Sequence, residues 1–254
     1  MPTELIVLGS GTGLPAADRG AAAYLLLQSN SVTMLDCGPG SSRRLPQVNI
    51  PLTDIDRIII SHFHVDHVCD LAAILFGLRI TGTTRKPLEI IAPIGLKAHY
   101  DGLIKLFGKS IVSRHFELIL TEIDVQNPTT LEREPFKLYA RQAAHTFPSL
   151  SYRLETCDGC FAYSGDTDYC ENLIEICSNA DLALLECSTA NEDKIAGHLT
   201  PQEVASIAAS AGVKHLVLSH FYPVSFDKDI FGQCRKHFQG RLTLASDLMR
   251  IQLE

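Results

Sequence analysis

Short apolar runs closed by glycine, proline or small polar residues make up the first third of the chain. Residues 5–8 run into Gly9-Ser10-Gly11-Thr12-Gly13, and the runs 22–27 and 32–35 follow, parted by Ser29-Asn30-Ser31. Such runs predict strands, here an antiparallel meander. From Asp54 the rhythm becomes strand alternating with helix. Residues 57–60 predict a buried strand, and 66–78 a helix with apolar positions Val68, Leu71, Leu75 and Leu78. A strand at 88–92, a helix at 95–107 built on Leu96, Leu103, Ile104 and Phe107, and a strand at 116–120 come next. The second half repeats the rhythm without repeating the sequence. A strand-rich block covers 136–163, and then come a helix at 169–177, a strand at 182–185, a Pro-initiated helix at 200–211, a strand at 215–218 and a last helix at 228–237.

Two meanders, each followed by strand-helix units, suit two sheets packed face to face with helices outside, an αββα sandwich of the α+β class. No Ser/Gly-rich or Pro-rich linker interrupts it, so residues 1–254 are expected to form one domain. The glycine loop Gly9 to Gly13 is spaced G-x-G-x-G and leads into a strand, which argues against a dinucleotide site and for a sharp backbone bend. Cys157-Asp158-Gly159-Cys160 reads as a hairpin turn on Asp158-Gly159, with the cysteines facing across it. No second CxxC supplies the ligands that a structural zinc site needs.

With 254 residues, 46% of them hydrophobic, the chain can bury a large core. A formal charge of −7 argues against a broad basic surface for nucleic acid. The start, Met1-Pro2-Thr3-Glu4, lacks the basic segment of a signal peptide, and no run is apolar enough to cross a bilayer. Eight cysteines then fit reduced thiols and a cytoplasmic location.

The candidate chemistry is concentrated in Ser61-His62-Phe63-His64-Val65-Asp66-His67, at the end of the strand 57–60. Three imidazoles and a carboxylate in so short a stretch are too polar for a core and need a shared electrostatic partner. Alternation sends His62 and His64 to one side, while the turn into the following helix brings Asp66 and His67 to an adjacent position, as two neighbouring cations would require. His145 in Ala143-Ala144-His145-Thr146, Asp166 in Ser164-Gly165-Asp166-Thr167 and His220 in Leu218-Ser219-His220-Phe221 each follow a predicted strand. Taken singly, His145 or His220 reads as an ordinary half-buried histidine.

The HxHxDH signature between a strand and a helix, with these later residues in order, resembles the metallo-β-lactamase superfamily. The resemblance implies a four-layer sandwich of two mixed β-sheets flanked by helices. It also implies two divalent metals, with His62, His64 and His145 holding the first, Asp66, His67 and His220 the second, and Asp166 bridging them. A histidine at position 64, where oxygen-reducing di-iron relatives carry glutamate, points to Zn²⁺ and hydrolysis; Mn²⁺ and Fe²⁺ share the same N/O preference. Glu186 in Leu184-Leu185-Glu186-Cys187 and His198 in Gly197-His198-Leu199-Thr200 resemble the ribonuclease Z and phosphodiesterase branch, in which the glutamate orients a histidine that protonates the leaving oxygen. His198, Glu186 and Asp66 are therefore the expected catalytic groups.

Two metals sharing a hydroxide suit in-line attack on a phosphodiester. The expected substrate is a small or cyclic phosphodiester or a short oligonucleotide. The branch's basic, glycine- and proline-rich arm that clamps transfer RNA has no counterpart between residues 107 and 136, where Gln126-Asn127-Pro128-Thr129-Thr130 carries no basic cluster. Three alternatives stay open: tRNA 3′ processing, hydrolysis of a thioester, lactone or sulfate ester, and a catalytically silent metal- or nucleic-acid-binding module. The related branch also implies a homodimer.

Overall fold

The computed structural model describes residues 2–28 and 30–253. Met1, Ser29 and Glu254 lie outside them, so the first expected turn is described only at Asn30 and Ser31. Strands β1 (Glu4–Gly9), β2 (Ala23–Gln28), β3 (Ser31–Cys37), β4 (Ile55–Ile59), β5 (Leu88–Pro93) and β6 (Leu118–Ile123) line up in sequence order in one sheet. Strands β7 (Thr129–Arg133), β8 (Phe136–Gln142), β9 (Leu150–Thr156), β10 (Gly159–Tyr163), β11 (Leu182–Glu186), β12 (His215–Ser219) and β13 (Arg241–Leu244) form the other. The last strand, β14 (Arg250–Gln252), returns to the first sheet beside β1.

Both sheets are mixed, as expected. In the first, β14-β1-β2-β3 pair antiparallel and β3-β4-β5-β6 parallel. In the second, β7-β8-β9-β10 pair antiparallel and β10-β11-β12-β13 parallel.

Strand alternation divides the core into layers. Leu5, Val7, Tyr24, Leu26, Leu35 and Ile59 face the second sheet and meet Leu138, Tyr152, Leu154, Phe161, Leu184 and Val217. The opposite faces are apolar too, because helices cover them. Ile6, Leu8, Leu25, Ile58 and Ile90 pack under α2 (Val65–Val68), α3 (Leu71–Thr81) and α4 (Leu96–Phe107), which follow the short α1 (Ser41–Arg44). Ala162, Ala183, Leu185, Leu216 and Leu218 pack under α5 (Glu171–Cys177), α6 (Pro201–Ala211) and α7 (Ile230–Arg235). The helix expected over 200–211 starts with a capping box between Thr200 and Glu203 and has Pro201 in its first turn.

Five expectations need correction. The single helix expected over 66–78 is two, α2 and α3. At the break the amide of Asp70 donates to Cys37 O at 2.9 Å, and its carboxylate accepts from the amide and hydroxyl of Ser42 at 2.9 and 2.7 Å. The strand expected over 116–120 lies two residues later. β7, β13 and β14 had no counterpart in the sequence pattern, and α7 is shorter than 228–237. In the hairpin, Thr156 pairs with Gly159 and Cys160 with Glu155, so the two-residue turn is Cys157-Asp158 and the cysteines do not face each other. Asp158, in the turn, accepts from the amide and hydroxyl of Thr3 at 2.9 and 2.7 Å.

Candidate metal centre

The residues expected to hold metal lie beyond strand ends in both sheets. His62, His64, Asp66 and His67 follow β4, the last two already in α2. His145 follows β8, Asp166 follows β10, and His220 follows β12. One ligand-type atom from each of His62, His64, His145 and Asp166 lies within 4.8 Å of the others, and the same holds for Asp66, His67 and His220.

Asp166 stands between the groups. Its Oδ2 is 3.8 Å from His62 Nε2, 3.9 Å from His145 Nε2 and 3.3 Å from His67 Nε2. Its Oδ1 is 3.4 Å from His220 Nε2. His64 Nδ1 lies 3.2 Å from His145 Nε2, and His67 Nε2 lies 3.3 Å from His220 Nε2. Each contact permits one N–H···N hydrogen bond at most, so imidazole nitrogens converge here from four separate histidines.

Two buried atoms sharpen the point. His62 Nε2 and Asp166 Oδ1 have no hydrogen-bond partner among the described residues, although a buried polar atom left alone costs roughly 1–3 kcal/mol. Burial holds the His62 imidazole well below its ordinary value, in the neutral form a ligand needs. The donor set is nitrogen and oxygen only, which suits zinc, manganese or iron(II). These residues therefore fit two divalent cations.

An outer ring of hydrogen bonds aims the side chains. His67 Nδ1 donates to Asp36 at 2.7 Å, and Asp36 also accepts from the amide and hydroxyl of Ser61 and from the hydroxyl of Tyr163. His145 Nδ1 donates to Gly197 O at 2.8 Å. The carboxylate of Asp66 accepts from the Gly13 amide at 2.9 Å, so the glycine loop bends against the site as expected. Gly165, just before Asp166, has φ +58, and a Cβ there would stand 2.5 Å from the Cβ of Ser61. Only glycine meets both demands. His220 itself takes φ +61, a left-handed conformation that costs about 1–3 kcal/mol unless its surroundings enforce it.

His198 and Glu186 stand beside this cluster. His198 Nδ1 donates to Glu186 Oε1 at 3.0 Å and lies 3.9 Å from Asp166 Oδ2. Glu186 further accepts from the Thr167 and Leu199 amides and from the Ser188 hydroxyl, so the carboxylate is fixed. Burial alone would lower the His198 imidazole, but the bond to Glu186 and the nearby carboxylates outweigh it and raise it. The His198 ring stacks on that of His220 at 5.7 Å, with Tyr222 edge-on to it at 5.8 Å. A ring nitrogen of His198 also falls within 4.8 Å of Asp166 and His220.

Sequence reasoning missed Asp36, Ser188 and Tyr222. Asp36 is the one acidic residue of the strand β3, one position before its end at Cys37, a signal that was present in the sequence. Ser188 Oγ lies 3.1 Å from both His198 Nδ1 and His220 Nδ1, a contact that joins distant segments and leaves no local signature.

Fold and site together define a metal-dependent protein of the αββα sandwich type. The chain belongs to the beta-lactamase superfamily, whose Beta-lactamase superfamily domain matches residues 33–221. It is 28% identical to the ribonuclease Z of Streptomyces coelicolor, covering 98% of this chain and 97% of that protein. That alignment runs to 300 positions against the 254 residues here, so the relative carries segments that this chain lacks. Among solved structures, the metallo-beta-lactamase fold protein YhfI from Bacillus subtilis superposes with a TM-score of 0.84 at 24% identity, covering 99% of this chain and 100% of that one. The short form of human tRNase Z superposes with a TM-score of 0.81 at 25% identity, with 99% of each chain covered.

Proposed function

We propose that this protein is a metal-dependent hydrolase of phosphodiesters, acting on a small or cyclic phosphodiester or a short oligonucleotide. The observation that carries the reading is the fixed Glu186–His198 pair beside a two-part cluster of histidines and aspartates. In this reading His62, His64, His145 and Asp166 hold one cation, and Asp66, His67, His220 and Asp166 the other. Zinc is the assigned metal. When bound, such a pair of cations neutralises phosphoryl charge and supplies a nucleophile at neutral pH.

The chain's own residues do the rest. Asp36 and Gly197 O fix the ring orientation of His67 and His145, and the Gly13 amide fixes Asp66. Glu186 accepts the Nδ1 proton of His198 and favours the imidazolium, whose second ring proton, on Nε2, would then be the one available to the leaving oxygen. Asp66, whose carboxylate lies 3.6 Å from His220 Nε2, completes the catalytic set in this reading.

The cations near the mouth are already engaged. Arg19 donates to Ser10 and to Ala245 O and lies over the Phe221 and Phe226 rings, and Lys194 is held by Asp168 and Glu203. Among the exposed residues nearby, Leu14, Val65 and Phe147 are apolar, and Thr146 carries no charge. That favours a compact substrate over a long polyanion. The second reading is tRNA 3′ processing, favoured by the likeness to ribonuclease Z over nearly the whole chain. Among the described residues no helix is long and apolar enough to cross a membrane. The free cysteines suit a reducing cytoplasm.

The test is turnover of bis(p-nitrophenyl) phosphate and of a tRNA precursor, each with added zinc or manganese and with chelator. Metal-dependent turnover of the small diester supports the reading. Cleavage of the precursor alone would favour the second, and no turnover of either would overturn both.

A further inference from the structure

Among the described residues, Lys194 is the one charged side chain that hydrogen-bonds the backbone of His198 itself. Its Nζ donates to His198 O at 2.6 Å, to Asp168 Oδ1 at 2.7 Å and to Glu203 Oε2 at 2.6 Å. An ammonium has three protons, and here each has a separate acceptor. These acceptors belong to three segments: Asp168 lies two residues beyond Asp166, His198 sits in the loop between β11 and α6, and Glu203 is in the first turn of α6.

Each acceptor is anchored elsewhere. Asp168 also takes the Gly197 amide at 2.9 Å, and Glu203 takes the amide and hydroxyl of Thr200, both at 2.9 Å. The peptide before His198 is therefore tied to the Asp166 loop, and the turn after it to α6, with Lys194 closing the ring. A surface ion pair alone would stabilise the protein by little. A three-way clamp on the carbonyl of a functional residue has a different use.

The geometry points to Lys194 as a positioning residue for His198, holding the imidazole where it can reach the leaving oxygen. The inference rests on the proposed role of His198 as proton donor. The test can separate the two, because proton donation matters in proportion to how poor the leaving group is. A p-nitrophenolate departs with little help, whereas an alkoxide needs the proton.

Lys194→Met, Asp168→Asn and His198→Ala would each be assayed, with zinc at saturation, on a p-nitrophenyl diester and on an alkyl diester of the same phosphate. Metal content and melting temperature would be recorded for every variant. If His198 is the donor, H198A loses about 100-fold or more on the alkyl ester and far less on the p-nitrophenyl ester. If H198A loses equally on both, the proton-donor reading fails, and with it the basis for Lys194.

Given a selective H198A, K194M is expected to lose on the order of 10–100-fold in kcat on the alkyl ester, with KM and metal content unchanged and a small effect on the p-nitrophenyl ester. D168N, which opens the clamp from its other end, should show the same selectivity. K194M/H198A should be no slower than H198A on the alkyl ester, since a positioning residue has nothing left to position. Loss of equal size on both esters in K194M and D168N, loss of metal, or additivity in the double variant would overturn the inference while leaving the role of His198 intact.

Discussion

The Asp36 carboxylate receives the Nδ1 proton of His67 at 2.7 Å, and both side chains are fully buried. The contact fixes which nitrogen of His67 faces the cluster and raises its basicity as a ligand. Asp36→Asn keeps the shape and removes the charge. It should weaken metal affinity by about 10–100-fold, read by competition with a chromophoric chelator. Unchanged affinity would mean that the orientation of His67 is set elsewhere.

His198 falls geometrically within reach of Asp166 and His220, so its role must be separated from ligation. His198→Ala is expected to keep two metals per chain and to lose about 10²–10⁴-fold in kcat on an alkyl diester. Elemental analysis of the purified variant decides the matter, since a fall to one metal per chain would make His198 a ligand.

Glu89, on β5 away from the site, bears on acid stability. Burial alone would raise its carboxyl, but hydrogen bonds from Arg133, Arg57 and Thr121 together outweigh that and leave it lowered. A lowered folded value means that its stabilisation is present above the unfolded value of about 4.3 and is lost as pH falls through the folded one. Urea titrations between pH 6 and 3 should show this loss. Glu89→Gln should cost roughly 1.5–3 kcal/mol at neutral pH and flatten that part of the profile.

Leu184 sits at the centre of the layer between the two sheets, fully buried against residues of both. Leu184→Ala should destabilise the protein by about 2–5 kcal/mol without altering metal stoichiometry. Chemical denaturation of the metal-loaded form gives the number.

Most of the sandwich was legible because its central strands are apolar on both faces and so stand out as continuous runs, as at Ile58-Ile59 and Leu182 to Leu185. The edge strands were not. β7 and β14 alternate in burial, and β13 begins on an exposed arginine, so none forms a run. The break between α2 and α3 was hidden because Val68, Leu71 and Leu75 keep helical spacing across it, while the cause, the contacts of Asp70 with Cys37 and Ser42, is tertiary. The clustered HxHxDH residues were readable locally. That His145, Asp166 and His220 meet them depended on family resemblance, since each arrives alone from a separate strand. Ser188 and Lys194 combine a near contact with a distant one, Ser188 reaching His220 and Lys194 reaching Asp168, and the distant partner leaves no mark in the local sequence.

The cluster draws His62, His64, Asp66 and His67 from one sheet and His145, Asp166 and His220 from the other. Cations bound there would act as a rivet across the seam between the halves, so occupancy should be felt by the whole fold and not only by its mouth. By mass action, metal at 1,000 times its dissociation constant adds about 4 kcal/mol to the folded state. Stripping it should lower the melting temperature and loosen amide protection along β4 and β10 together, as though the two halves had been unpinned at one end.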